Sequence, residues 1–419
     1  MADVYAIANG NWNDPAIWSS GSVPGTVDNV WLNGKTITLD QDISVASLSS
    51  EANATLGTVA GGTLDIPSTY STRSVTASGD IRQGGTTNLV RFARSTTLTI
   101  SCTTLYSSDV SGTNTIQCTS TSGIATINIT ANVIARASNV IGTFNDYTIL
   151  TINGSIWSTG TGAVIAGNLL LTSSVINGNI KNGAINFSSN VNLTVNGNLI
   201  NDSSLTASAP IRVSSGNGSL TINGNVIAGA ATGLDLNLGW NNPFTLTING
   251  NVYGGSSVDK PGIMVSQFQS NHKITINGDV YAGTASLAPG LRVRDITGGN
   301  IFLNGNMRVQ NGGSLNTPAV SSSILAISNA QTRYIEHWEG DIGTGQPTGN
   351  KLIFETNINA SQANPADVRQ GVVYGPAGEY TGTCAVPPPQ SVAYGVPVDN
   401  TVGQAGLPPY RAVAEYRGG

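Results

Sequence analysis

The densest gathering of groups able to move protons or grip a sugar lies in "YIEHWEGDIG", where Glu336, His337, Trp338, Glu339 and Asp341 stand close together. Trp338 has the apolar face on which a pyranose ring stacks, and Glu336 or Glu339 has the oxygens that accept hydroxyl hydrogens. The plainer role for His337 and these carboxylates is to line a junction between two parts of the chain. Other carboxylates are thinly spread. Glycoside cleavage needs two carboxyl groups about 5 to 9.5 Å apart, one of them held protonated. Asp235 with Asp259, and Asp279 with Asp295, meet that need only if the fold stacks their segments, and their polar, turn-like settings read as structural.

Few other side chains offer chemistry. The histidines, His272 and His337, have no ligand spacing around either, and Cys102, Cys118 and Cys384 form an odd set without CxxC spacing. Neither a metal site nor a disulfide framework is expected from such a pattern. The thiols read as buried free cysteines, and His272, beside Lys273 at a strand start, reads as solvent-facing. No GxSxG, phosphate loop or dinucleotide fingerprint stands in a strand-to-helix setting. The expectation therefore holds no catalytic residue, no metal and no cofactor.

The element that would position any site is a repeat. "LTINGNVIAG" at Leu220 returns as "LTINGNVYGG" at Leu246 and "ITINGDVYAG" at Ile274, and the Asn residues Asn196, Asn223, Asn249, Asn277 and Asn304 are 27, 26, 28 and 27 residues apart. Weaker copies surround Asn153 and Asn177, and another is "ATINITANVIA", ending at Ala135. Periods of roughly 20 to 50 residues mark solenoids and arrays, whose units bury their apolar faces only against neighbours. Asn-Gly between alternating hydrophobics is also a hairpin signal. Here, however, Leu220, Ile222, Gly224 and Val226 keep one parity through the Asn-Gly. The stretch therefore reads as a strand bending at an inward glycine.

Second alternating runs, such as "GLDLNLGW" and "GIMVSQF", lie between the copies. Two or three short strands per unit make one coil of a right-handed, single-stranded parallel β-helix, an all-β fold. Stacked coils bring equal positions within about 4.8 Å, so Leu and Ile columns fill the interior and the Asn column forms a side-chain ladder.

Composition bounds the partners. Of 419 residues 51 are Gly, charged residues are 10%, and the net charge of −5 comes with no basic run, so nucleic acid is not an expected partner. The opening residues lack a charged segment followed by an apolar one, and no run of about 18 apolar residues occurs, so neither a signal peptide nor a membrane span is expected. The texture of the chain suggests a cap over 1–40, repeats over 41–320, junction strands over 321–360, and a C-terminal module with an extended arm over 361–419.

The cap segment carries Trp12, Trp18 and Trp31, a "VPG" turn and then Asp28. It resembles G8-type openers that precede β-helices in secreted and phage proteins, and its aromatics are expected to close the end of the core. Near the other end, "DVRQGVVYG", "TGT", the stiff "AVPPPQ" spacer and "GVPVDNTVG" follow in order. That order resembles a C-terminal module of tailed-bacteriophage virion proteins. The resemblance implies a virion location after assembly in the host cytoplasm, a homotrimer, and contacts of the C-terminal arm with capsid or tail proteins. The expected role is a noncatalytic surface protein, a capsid decoration (cement) protein or head fibre. The alternative is a tail spike or fibre that binds, or cleaves, host surface polysaccharide.

Overall fold

The computed structural model describes residues 2–309 with interruptions at 94, 119–123, 143–146, 168–169, 188–190, 202–208, 215–216, 239–241, 258–259, 267, 269–270, 284–289, 295–299 and 304–306. Beyond 309 it describes Leu325–Ser328, Ile335–Glu336, Leu352–Thr356, Val373–Tyr374, Tyr380–Thr381, Thr383, Pro397–Val398 and Thr401–Val402. The chain divides into two units, Met1–Phe354 and Glu355–Gly419.

The first unit is a parallel β-solenoid, the fold that the spacing of the Asn-Gly copies predicts. From Ile43 onward its coils contribute strands to three columns. The coil beginning at Gly218 illustrates the pattern, with Gly218–Ile222 in the first column, Val226–Ile227 in the second and Leu234–Asn237 in the third. Each strand of this coil pairs in parallel with its counterparts in the coils before and after, never with its own neighbour in sequence. Among the described residues the third column is a 13-stranded sheet, and the first two together form a 25-stranded one. Apart from a single 3₁₀ turn at Pro15–Ile17, capped by Asp14 Oδ1 accepting from the Ala16 N–H, the described elements are strands.

Strict alternation sorts the side chains. In Gly218–Ile222 the inward residues Leu220 and Ile222 are fully buried, and their register partners Leu246, Ile248, Ile274 and Ile276 stack on them coil after coil. The second column buries an equally continuous row, in which Val4, Val30, Leu48, Ile81, Leu105 and Val133 lead on to Val226, Val252 and Val280. Burying one such aliphatic side chain contributes about 1.5 to 3 kcal/mol. One contiguous core results.

The Asn-Gly sits at the corner between the first two columns, where the ladder lapses for three residues, Asn223 to Asn225, before Val226 resumes it. The stretch is thus two short strands around a corner rather than one bent strand, and the hairpin is absent. The glycine is there for space. A Cβ on Gly197, Gly224, Gly250 or Gly278 would overlap the carbonyl oxygen of the corner glycine one coil earlier. Where the sequence lacks Asn-Gly, as in Thr97–Tyr106 and Ala125–Ala135, the strand runs unbroken from the first column into the second.

The second unit contains two short antiparallel pairs among its described residues. Val373–Tyr374 pairs with Tyr380–Thr381, and Pro397–Val398 pairs with Thr401–Val402.

Candidate functional site: the outward columns of the shaft

Three outward features of the first unit are candidates for function. The first is the corner itself. The Nδ2 of Asn177 donates to Oδ1 of Asn153, and the same bond recurs from Asn196 to Asn177, Asn223 to Asn196, Asn249 to Asn223 and Asn277 to Asn249, at 2.6 to 2.7 Å. Asn304 lies outside the described residues. A second ladder runs beside it on the far side of the glycine, where Oδ1 of Asn198, Asn225 and Asn251 accepts from the backbone N–H of Asn225, Asn251 and Asp279. These amides satisfy backbone donors that the broken strand ladder leaves over.

The second feature is a stripe on the outer face of the second column. Register partners run from Trp31 through Ser49, Arg82, Tyr106 and Ile134 to Trp157, then through Lys181, Ile200 and Ile227 to Tyr253 and Tyr281. Most are half-buried, because each covers part of the next. Tyr253 and Tyr281 stack face to face with centroids 4.6 Å apart, and their hydroxyls bond to Asn251 and Asp279. Arg82 and Arg136 both lie over the Tyr106 ring, at 4.1 and 4.9 Å from its centroid, a favourable placement of cations on a π face.

The third feature is the charge around that ring. Arg136 bonds Glu51 through one terminal nitrogen at 2.9 Å and Asp109 through the other at 2.7 Å, and Arg82 bonds Asp80 at 2.7 Å. Arg136 thus staples the loops holding Glu51 and Asp109 to the shaft. Replacing Arg136 with Met should lower stability by about 1 kcal/mol at low salt. The difference from wild type should shrink as ionic strength rises, and urea titrations at two salt concentrations would show it.

Other carboxylates of the shaft are also held by arginines. Asp65 is bonded by Arg91 one coil on, and Asp235 by Arg212 one coil back. Asp279 accepts from Tyr281. Asp259 and Asp295, the proposed partners of Asp235 and Asp279, lie outside the described residues. So do His337, Trp338, Glu339 and Asp341; Glu336 is placed only as backbone, in the strand Ile335–Glu336. No group of three or more His, Cys, Asp or Glu side chains suited to a metal occurs among the described residues. Cys118 is buried, and burial pushes the half-covered Cys102 thiol up to about 12. Such a thiol stays protonated and unreactive near neutral pH. Among the described residues no helix is long and apolar enough to cross a membrane.

His272 corrects the sequence reading. It is 1% exposed, its ring lies 5.7 Å from that of Phe268, and its Nε2–H donates to the carbonyl of Asn242 at 2.8 Å. It shares the parity of Ile274 and Ile276 and so faces the core, while Lys273 faces out. Burial outweighs that hydrogen bond and lowers its pKa. A lowered folded pKa means that its contribution is present above the ordinary value near 6.5 and is lost as pH falls below it. Replacing His272 with Phe, the residue type of its register partner Phe244, should flatten the fall in melting temperature between pH 7 and 5.

At the N-terminal end, Trp12 and Trp18 are both 1% exposed and meet edge to face with centroids 4.8 Å apart, and Trp18 Nε1–H donates to the Trp12 carbonyl at 3.0 Å. Trp31 is not with them; it is the half-buried start of the stripe described above. The segment holding Trp18 returns antiparallel along the free edge of Asp3–Tyr5, where Ser19 N–H donates to Tyr5 O and Ile7 N–H to Ile17 O. Asp28, three residues after the VPG turn, closes it by accepting from the Gly25 N–H at 2.8 Å.

The chain matches no protein-family model, no curated protein and no solved structure. The stripe is the feature that sequence reasoning missed. Its signal is the fifth residue of each corner motif, as in "NGSIW", "NGNIK", "NGNVY" and "NGDVY", read down the repeats rather than along the strand.

Proposed function

We propose that this chain is a noncatalytic structural protein on the surface of a tailed-phage virion, acting as a capsid decoration or cement protein or as a head fibre. The observation that carries the reading is the ordered set of motifs from Asp367 to Gly403, which resembles a module of such proteins. Each half of it contains one of the two antiparallel pairs, Val373–Tyr374 with Tyr380–Thr381 and Pro397–Val398 with Thr401–Val402. The shaft is consistent with a scaffold, since its arginines and asparagines bind neighbouring coils along its outer surface. In this reading the protein is a homotrimer, and the C-terminal segment contacts other virion proteins.

Quantitative staining of purified particles tests the proposal. Copies comparable with the capsid subunits support decoration, and absence of the chain from particles overturns the phage reading altogether. Light scattering of the purified protein tests the trimer.

A second reading, a spike or fibre that grips host polysaccharide, is favoured by the outward stripe. Trp157, Tyr253 and Tyr281 give it apolar edges, and Asn251 and Asp279 add hydrogen-bonding groups. That combination suits an extended glycan. A handful of copies per particle, together with glycan binding weakened by Trp157→Ala, would favour it over decoration.

A further inference from the structure

The corner column is built from Asn-Gly, the dipeptide in which the backbone nitrogen of the second residue most readily attacks the side chain of the first, because glycine has no side chain in the way. We propose that the exposed asparagines of this column are latent deamidation sites, each kept unreactive by its ladder neighbours, so that reaction at one rung opens the next.

The reaction is a substitution with water as the only co-reactant. The glycine nitrogen forms a bond to Asn Cγ and closes a five-membered succinimide. Nδ2 departs as ammonia, taking up the proton that the glycine nitrogen loses. Water then adds to either ring carbonyl, leaving aspartate, or isoaspartate with the main chain routed through Cβ.

Attack requires the side-chain amide to turn onto the following nitrogen, and three observations oppose that turn. Asn177, Asn196, Asn223 and Asn249 each donate through Nδ2 to the rung before and accept through Oδ1 from the rung after. The backbone N–H groups of Asn196, Asn223, Asn249 and Asn277 are fixed to carbonyls of the preceding coil at 2.7 to 2.8 Å. The glycine is confined as well, since the position a Cβ would take on it is already filled by the carbonyl oxygen of the glycine one coil earlier, which leaves the corner backbone little room to shift.

The same geometry makes the damage spread. An aspartate at position 223 has no hydrogen to donate to Asn196 Oδ1 and sets a carboxylate oxygen against it, so the Asn196 amide loses the partner that held its oxygen. Isoaspartate lengthens the main chain by one atom at the tightest point of the coil and displaces the nearest glycine carbonyls. Aspartate thus releases the amide of the rung before it while its carboxylate still accepts from Asn249 Nδ2, and isoaspartate disturbs the rungs on both sides.

The test is peptide mapping by mass spectrometry after incubation at mildly alkaline pH, with the intact folded chain and the urea-unfolded chain compared side by side. Deamidation at Asn196, Asn223 and Asn249 should be at least about tenfold slower in the folded chain, as expected when two hydrogen bonds must break before attack. Molecules carrying one converted rung should carry a second at an adjacent rung more often than chance allows. In an Asn223→Ala variant, Asn196 and Asn249 should convert several-fold faster than in wild type, while the initial rate at Asn177, one rung further off, should not change. Equal rates in folded and unfolded wild-type chain, or unlinked conversions along the column, would overturn the proposal whether or not the variant folds.

Discussion

Replacing Trp18 with Ala should be the most damaging single change in the shaft, lowering stability by about 3 to 5 kcal/mol, the range for deleting a large buried aromatic side chain. The loss has two sources. The Trp12–Trp18 edge-to-face pair and the indole bond to the Trp12 carbonyl disappear. The return segment that they anchor also loosens, and that segment occupies the free edge of Asp3–Tyr5 through Ser19 and Ile17. An uncovered strand edge templates pairing with another chain, so the variant should form concentration-dependent oligomers detectable by light scattering. Trp18→Phe should keep most of the packing and lose about 1 kcal/mol with the hydrogen bond, and it should show no such added association. Trp31→Ala is the control, because Trp31 is half-buried on the outer stripe and blocks no edge. If Trp18→Ala behaves no worse than Trp31→Ala, the edge-blocking role is wrong.

Much of this fold is legible without coordinates because a solenoid writes its register into the spacing of its repeats. The interval between successive Asn-Gly copies gives the coil, and the unbroken parity through Gly224 rules against a hairpin. What parity along a strand leaves out is the second column. Strands such as Val226–Ile227 and Val252–Tyr253 have one inward and one outward residue, too short for any alternation to show. The stripe from Trp31 to Tyr281 therefore emerges only from strand register. His272 failed for the opposite reason. Its parity with Ile274 and Ile276 places it inside, but the charge of Lys273 and the habit of histidine for surfaces suggested otherwise. The edge block at the N-terminus needed tertiary information, since nothing local says that the chain after Pro15 turns back along Asp3–Tyr5.

The corner glycines give the second large effect, and they test whether Asn-Gly is there for its conformational freedom or for space. At Gly197, Gly224, Gly250 and Gly278 the crowding comes from backbone carbonyl oxygen, which cannot move aside as a flexible side chain would. Gly224→Ala should therefore cost about 1 to 3 kcal/mol, the usual range for overpacking. Gly25→Ala, where the nearest atom to an added Cβ is Asp28 Oδ2 at 3.9 Å, should cost far less. Gly224→Ala with Gly250→Ala should lose less than the sum of the single changes, because the two corners share one contact and moving either coil relieves the other. Hydrogen exchange at the Asn223 and Asn249 amides, which bond to Val195 and Ile222 of the preceding coils, would locate the damage. Protection should fall at these corners first and persist in the inward rows of Leu220 and Leu246, since in a solenoid each coil is held mainly by its immediate neighbours. A uniform loss across the shaft would mean that the corner is not where the coils are held apart.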